Sequence, residues 1–135
     1  MNLSKRILGI DFGTKKIGVA VSDENSNFAI PKLVLNNDKD LLRNIKEIIN
    51  KEKIGEIVIG ESTDYKGQDN PVMKDVKKFT EKLQEKFSLP ISFEPEFLTS
   101  HQAKSIQGEN KMTDASAAAL ILQSFLDKEN KNDSF

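Results

Sequence analysis

The chain has no cysteine and no tryptophan, and only one histidine and one tyrosine. Without thiols, disulfides, thiolate zinc centres and cysteine nucleophiles are all excluded, and the composition suits a reducing interior, so the cytoplasm is the expected location. The lone His101 has no second histidine, serine or cysteine at a telling spacing, and is expected on a helix surface. No apolar run approaches the ~20 residues needed to cross a bilayer. The opening Met1-Asn2-Leu3-Ser4-Lys5-Arg6 leads into a strand-like segment instead of a signal-peptide core, so neither membrane insertion nor export is expected. A charge surplus is missing too: 20 basic residues face 21 acidic ones, for a net charge of −1. Nucleic-acid binders usually carry a basic excess or patch, so any such contact here has to be local.

What is present reads as one domain. At 135 residues the chain is long enough to bury roughly two thirds of its unfolded surface without a staple. Residues 6–11 and 17–22 are strand-like around the turn Gly13-Thr14-Lys15-Lys16, and Ala29 to Leu35 makes a third strand, giving three antiparallel strands first. Asp38 is placed to cap a helix whose Leu41, Leu42, Ile45, Ile48 and Ile49 recur at helical spacing and which ends near Lys53. Glu56 to Gly60 is a short apolar run of the kind found in buried parallel strands, with Glu61 at its carboxyl end. A loop from Glu61 to Pro71 precedes a second helix with Val72, Val76, Phe79, Leu83 and Phe87 on one face. Ile91 to Glu96 forms a fifth strand, Thr99 opens a short helix, and Thr113 caps a last helix carrying Ala117, Ala118, Ile121, Leu122, Phe125 and Leu126. The expected architecture is α/β: a five-stranded mixed sheet, three antiparallel strands then parallel ones, with helices on its faces. The domain is expected to span 1–127, and the polar, unpatterned segment 128–135 to form a frayed tail. Phe28, Phe79, Phe87, Phe93 and Phe125 fit core positions, leaving Tyr65 as the exposed aromatic that could stack on a base.

Asp11 interrupts an apolar strand, and a carboxylate so placed needs a metal, a cation or several hydrogen bonds to offset its desolvation. In open α/β sheets the working groups gather at the carboxyl ends of the central strands. Asp11 and Glu61 are expected at such ends, Glu96 lies at the end of the fifth strand, and Asp114, in the first turn of the last helix, can be brought to the same rim. Carboxylates converging without histidine or cysteine favour a hard cation, Mg²⁺ or Mn²⁺. Ions so held activate water and stabilise a leaving oxygen, which points to phosphodiester hydrolysis. Lys15 and Lys16, in the turn beside Asp11, are placed to neutralise phosphate charge.

Over residues 6 to 127 the chain resembles the YqgF family, also called RuvX or Holliday-junction-resolvase-like, of the ribonuclease H fold. Gly9-Ile10-Asp11-Phe12-Gly13-Thr14-Lys15-Lys16-Ile17-Gly18-Val19-Ala20-Val21-Ser22-Asp23 is similar to the family's opening hairpin, Glu96-Phe97-Leu98-Thr99-Ser100 to its Asp-Glu-Arg-Leu-Thr-Thr segment, and Asp114 with Ala115 to Leu126 to its closing helix. The resemblance implies catalytic carboxylates at Asp11, Glu96 and Asp114. It also implies a nuclease maturing the 5′ end of 16S ribosomal RNA, with Holliday-junction cleavage as an older assignment. The implied partner is structured RNA or a pre-ribosomal particle, with branched DNA as the alternative, for a monomer or weak homodimer.

Departures from the pattern are specific. Pro95 and Phe97 replace an Asp and an Arg beside Glu96, Lys16 replaces an Arg at the cost of bidentate geometry, and the segment from Ser100 to Asp114 is short, with only Lys104 and Lys111 for a basic cluster. Gly60-Glu61-Ser62 replaces a common Gly-Leu-Pro, which motivates Glu61 as a further metal ligand beside Asp11. Lys74, Lys78, Lys82 and Lys86 recur at i, i+4 along the second helix, but Glu81 and Glu85 are interleaved, and such a stripe reads first as a solvated face. Two rival readings compete: a ribosome-associated RNA-binding domain with weakened catalysis, and the phosphate loop of an actin-like ATPase or sugar kinase, for which a second lobe is missing.

Overall fold

A computed structural model describes residues 6–61, 73–95 and 113–132, with the backbone alone at Met73, Thr113, Asp114, Lys131 and Asn132. The elements are β1 (Arg6–Asp11), β2 (Lys16–Ser22), β3 (Ala29–Asn36), α1 (Leu41–Glu52), β4 (Ile54–Glu61), α2 (Met73–Phe87), β5 (Ile91–Pro95) and α3 (Thr113–Asn132). They build one five-stranded sheet in the order β3-β2-β1-β4-β5. β1 pairs antiparallel with β2, and β2 with β3, whereas β1 and β4, and β4 and β5, run parallel. β1, apolar on both faces, is thus central, as its nearly unbroken run of buried residues requires.

Pleat alternation sends the two faces of β1 into separate cores. Leu8 and Ile10 join Ile17, Val19, Ile57, Ile59 and residues of α1 and α2, including Ile45, Val76 and Leu83. Ile7 joins Ala20, Val58 and the α3 residues Ala118, Ile121, Leu122 and Leu126. Gly9 shares the parity of Ile7, and its missing side chain lets α3 lie close: a Cβ built there would meet Leu122 Cβ at 2.8 Å and the Ala118 carbonyl oxygen at 3.2 Å. No helix among the described residues is long and apolar enough to cross a membrane.

The structure corrects several local expectations. α1 starts at Leu41 with Asp40 as its N-cap; Asp38 acts one step earlier, its Oδ1 accepting the Asp40 N–H at 3.0 Å in an Asx turn. β4 begins at Ile54, two residues sooner than its apolar run implies. Phe93 is 41% exposed and Phe28 65% exposed, so neither is a core residue. On β5 the parity is reversed because Glu94, only 4% exposed, is the residue that faces α3. Its Oε2 accepts the Ser124 hydroxyl at 2.7 Å and pairs with Lys128 Nζ at 2.7 Å. Phe28 sits past the β2 end, where its N–H and that of Asn27 donate to Asp23 Oδ1, a turn that leaves the ring outside. α3 runs through the segment 128–132 that was expected to fray, because Lys128 holds Glu94 and Asn130 Nδ2 donates to the Ser26 carbonyl at 3.1 Å. The expected short helix at Thr99, the loop after Glu61 with Tyr65, and His101, Lys104 and Lys111 lie outside the described residues.

Candidate active site

The chain direction of α3 against β1 decides which residues meet. Ile7 shares one core with Ile121, Leu122 and Leu126, Gln123 bonds to Ala29 at the level of Ile7 through Ser22, and a Cβ built on Gly9 would meet Ala118 and Leu122. Moving toward the carboxyl end of β1 therefore moves toward the amino end of α3. Asp11 lies two residues beyond Gly9, a rise of roughly 6.6 Å, and position 114 lies one turn before Ala118, about 6 Å along the helix. The backbone of Asp114 thus stands at the level of Asp11, on the face that Asp11 shares with Ile7 and Gly9. At the other end, Gln123 accepts the Ala29 N–H at 2.8 Å and donates to the Asn27 carbonyl at 2.9 Å, tying α3 to the β2–β3 turn and fixing that level.

Two more strands end at this rim. The last ladder pair of β1 and β4 is Ile10 with Ile59, and β4 continues to Glu61, which pairs with Pro95. β5 therefore brings the chain to within one residue of Glu96, which itself lies outside the described residues, as does the Asp114 side chain. Asp11 and Glu61 are both half-buried. Their parities differ, however: Glu61 follows Ile57 and Ile59 on the α1/α2 side. Among the described residues no three acidic side chains form a metal-binding group.

The turn after Asp11 is rigidly built. A Cβ on Gly13 would meet the Lys16 carbonyl oxygen at 2.4 Å, so this tight turn admits glycine alone. Asn37, at the end of β3, braces it from the side: its Nδ2 donates to the Gly13 carbonyl at 2.9 Å and its N–H to the Lys15 carbonyl at 2.9 Å. Lys15 and Lys16 are exposed at the tip. Phe12 turns to the other face and packs on Phe79, with ring centroids 5.2 Å apart.

Residues that sequence reasoning missed are the ones that position the others. Gly9 was legible only as part of a motif, and its packing role needed α3 in place. Asn37 gave no signal. Glu94 was masked by the neighbouring Phe93, which looked like the inward residue.

The profile of the family described as RuvX: Holliday junction resolvase matches residues 5–128. The chain belongs to the RuvX family. A relative from Maridesulfovibrio salexigens, provisionally named a pre-16S rRNA nuclease, is 35% identical over 131 residues, covering 90% of this chain and 97% of its own. One of the same provisional name from Thermoanaerobacter pseudethanolicus is 37% identical over 136 residues, covering 92% and 97%. Among solved structures, RuvC from T. thermophilus in complex with a Holliday junction superposes with a TM-score of 0.59 at 15% identity, over 93% of this chain and 96% of that one. The Fowlpox virus resolvase bound to a Holliday junction gives 0.56 at 10% identity, over 92% and 98%. At these identities the likeness shows the fold: this RuvX chain has the ribonuclease H-like fold of the resolvases.

Proposed function

We propose that this RuvX protein is a divalent-metal-dependent nuclease that processes the 5′ end of pre-16S rRNA in the cytoplasm. The observation that carries the reading is the register of α3 on β1, which brings position 114 level with Asp11 at the rim where β4 and β5 also end. The provisional name of the relatives supplies the substrate.

Asp11, Glu96 and Asp114 are the proposed catalytic carboxylates and metal ligands. A donor set of carboxylate oxygens, with no thiol in the chain and no imidazole at these positions, fits Mg²⁺ or Mn²⁺ and not a soft ion. When bound, such an ion supplies Lewis acidity and an activated water for phosphodiester hydrolysis. The protein's part is positional: the ends of β1 and α3 would supply the frame from which these carboxylates act, and a frame set before substrate arrives leaves less reorganisation for the reaction. Glu61, on the opposite parity, contributes through water at the same rim. Lys15 and Lys16 meet substrate phosphates from the braced turn. Lys16 gives a point charge without the bidentate fork of an arginine.

The test is cleavage of a 5′-extended 16S precursor fragment beside a four-way DNA junction, with Mg²⁺ or Mn²⁺, comparing wild type with Asp11→Asn. Metal-dependent cutting of the RNA, abolished in a folded Asp11→Asn protein, is the expected result. Cutting retained by the variant would sink the site assignment. Preference for the junction would replace the rRNA substrate by branched DNA.

A further inference from the structure

A cleft of about 400 Å³ opens on the α1/α2 side of the sheet, directly behind the turn that follows Asp11. Its floor is the Phe12–Phe79 pair. Thr14 and Asn37 form the wall nearest the turn, while Lys39, before α1, and Lys78 and Lys82, on α2, line the rest. The three lysines are exposed, and among the described residues none of them is held in an ion pair. Two acidic residues, Asp38 and Asp75, also line the cleft. Asp38 is engaged through its Oδ1 with the Asp40 N–H.

The lysine stripe that looked like plain solvation in the sequence is therefore divided by the tertiary structure. Lys78 and Lys82 line one concave surface together with Lys39, and that surface begins at Phe12, the residue after Asp11. Phe79 is only 6% exposed, which leaves the half-buried Phe12 as the aromatic surface of the floor. Beside its apolar floor and the two acidic residues, the cleft presents three ammonium groups, the chemistry that recognises phosphates and carries little base preference.

We infer that this cleft holds the sugar–phosphate backbone of a single-stranded RNA segment flanking the cut, with Lys39, Lys78 and Lys82 as its phosphate contacts. The inference rests on the nuclease reading for its choice of RNA. It explains how a chain of net charge −1 grips a polyanion: the cations are gathered along one track instead of spread as a surplus. The cleft lies beside the turn that follows Asp11, so a flexible single strand lying in it would pass the end of β1 on its way to the cut.

The experiment measures binding of a labelled single-stranded RNA oligonucleotide by fluorescence anisotropy in EDTA, which prevents cutting, over a series of salt concentrations. Lys78→Gln/Lys82→Gln is compared with wild type and with Lys46→Gln/Lys51→Gln, an equal charge change on exposed positions of α1 outside the cleft. Two lost phosphate contacts on a single strand lower the salt slope by about 1.4, which is about 25-fold in affinity at 0.1 M salt if the curves meet at 1 M. The α1 pair is expected to leave the slope within experimental error of wild type. Equal losses for both pairs, or none for either, would overturn the inference, and so would a duplex RNA that binds as tightly and with the same dependence on Lys78 and Lys82. Cleavage of the precursor is measured in parallel. A protein that cuts normally but binds RNA independently of these lysines refutes the cleft and leaves the nuclease standing. Lysine-dependent binding without any cutting does the reverse.

Discussion

Gly9→Ala tests the contact that sets the active-site register. The added Cβ would lie 2.8 Å from Leu122 Cβ and 3.2 Å from the Ala118 carbonyl oxygen. Carbon atoms prefer about 3.5–4.0 Å, so the first contact falls short by about 1 Å. Neither partner can turn away, because one is backbone and the other is fixed to it. The relief has to come from α3 moving bodily off β1, which strips packing from Ile7, Ala20 and Val58 against Ile121, Leu122 and Leu126. Overpacking of this kind costs about 1–3 kcal/mol, offset by the ~0.5–1 kcal/mol that alanine gains over glycine in a strand. A net loss of about 1–2 kcal/mol is expected, read as a lower urea midpoint with an unchanged slope. The functional effect is expected to exceed the stability effect. A displacement of about 1 Å at the amino end of α3 moves the backbone at position 114 relative to β1, and, on the proposed site, misplacement on that scale costs about a hundredfold in rate. Turnover is therefore measured at a temperature where circular dichroism shows the variant fully folded. A variant as stable and as active as wild type would refute the claim that this approach positions the site.

Glu56 on β4 is half-buried, and burial first, then the negative charge of Glu129, raises its carboxyl above the ordinary value of 4.5, while a hydrogen bond from Ser92 pulls the other way. Because the folded state favours the protonated form, the stability it contributes is full below about pH 4.5 and is lost as pH rises through the raised value. Glu56→Gln is expected to be more stable than wild type at pH 7 and equal to it at pH 4; a gain that does not change with pH would contradict the assignment. Lys128→Met leaves the buried Glu94 carboxylate with the Ser124 hydroxyl as its remaining described partner, at a cost of about 1–3 kcal/mol. Adding Glu94→Gln should recover most of that in urea melts, and a double variant no better than the single would refute the pairing. Asn37→Ala removes the side-chain bond to the Gly13 carbonyl and should cost about 1 kcal/mol. The same variant should lower turnover through a looser turn, and unchanged turnover would separate the turn from the site.

Much of this architecture was readable from the chain. The continuous apolar runs of β1 and β2 and the helical spacing of Leu41, Ile45, Val76, Phe79, Leu83, Ile121 and Leu122 reflect burial that each element carries in its own sequence. At Phe28 and Asp38 a local turn decided the outcome, whereas at Phe93 and after residue 127 a partner from a distant element reversed a local preference. Phe93 looks inward by hydrophobicity, yet β5 is an edge strand, and Glu94 is drawn inside by Ser124 and Lys128, more than thirty residues away in the case of Lys128. The polar segment after residue 127 looked unstructured because its helix is stabilised by those same long-range bonds and not by an apolar face of its own.

The sequence by itself carried the five strands, their mixed sheet and the three helices that the structure describes, and it marked the candidate carboxylates, because periodicity and an acid within an apolar strand are local properties written in consecutive residues. It could not determine the side of the sheet to which α3 binds, the register of α3 along β1, or the separation of Lys78 and Lys82 from the rest of their stripe. Those depend on close packing between segments far apart in the chain, where a missing Cβ at Gly9 fixes one helix against one strand and a cleft forms only when the turn, α1 and α2 are assembled.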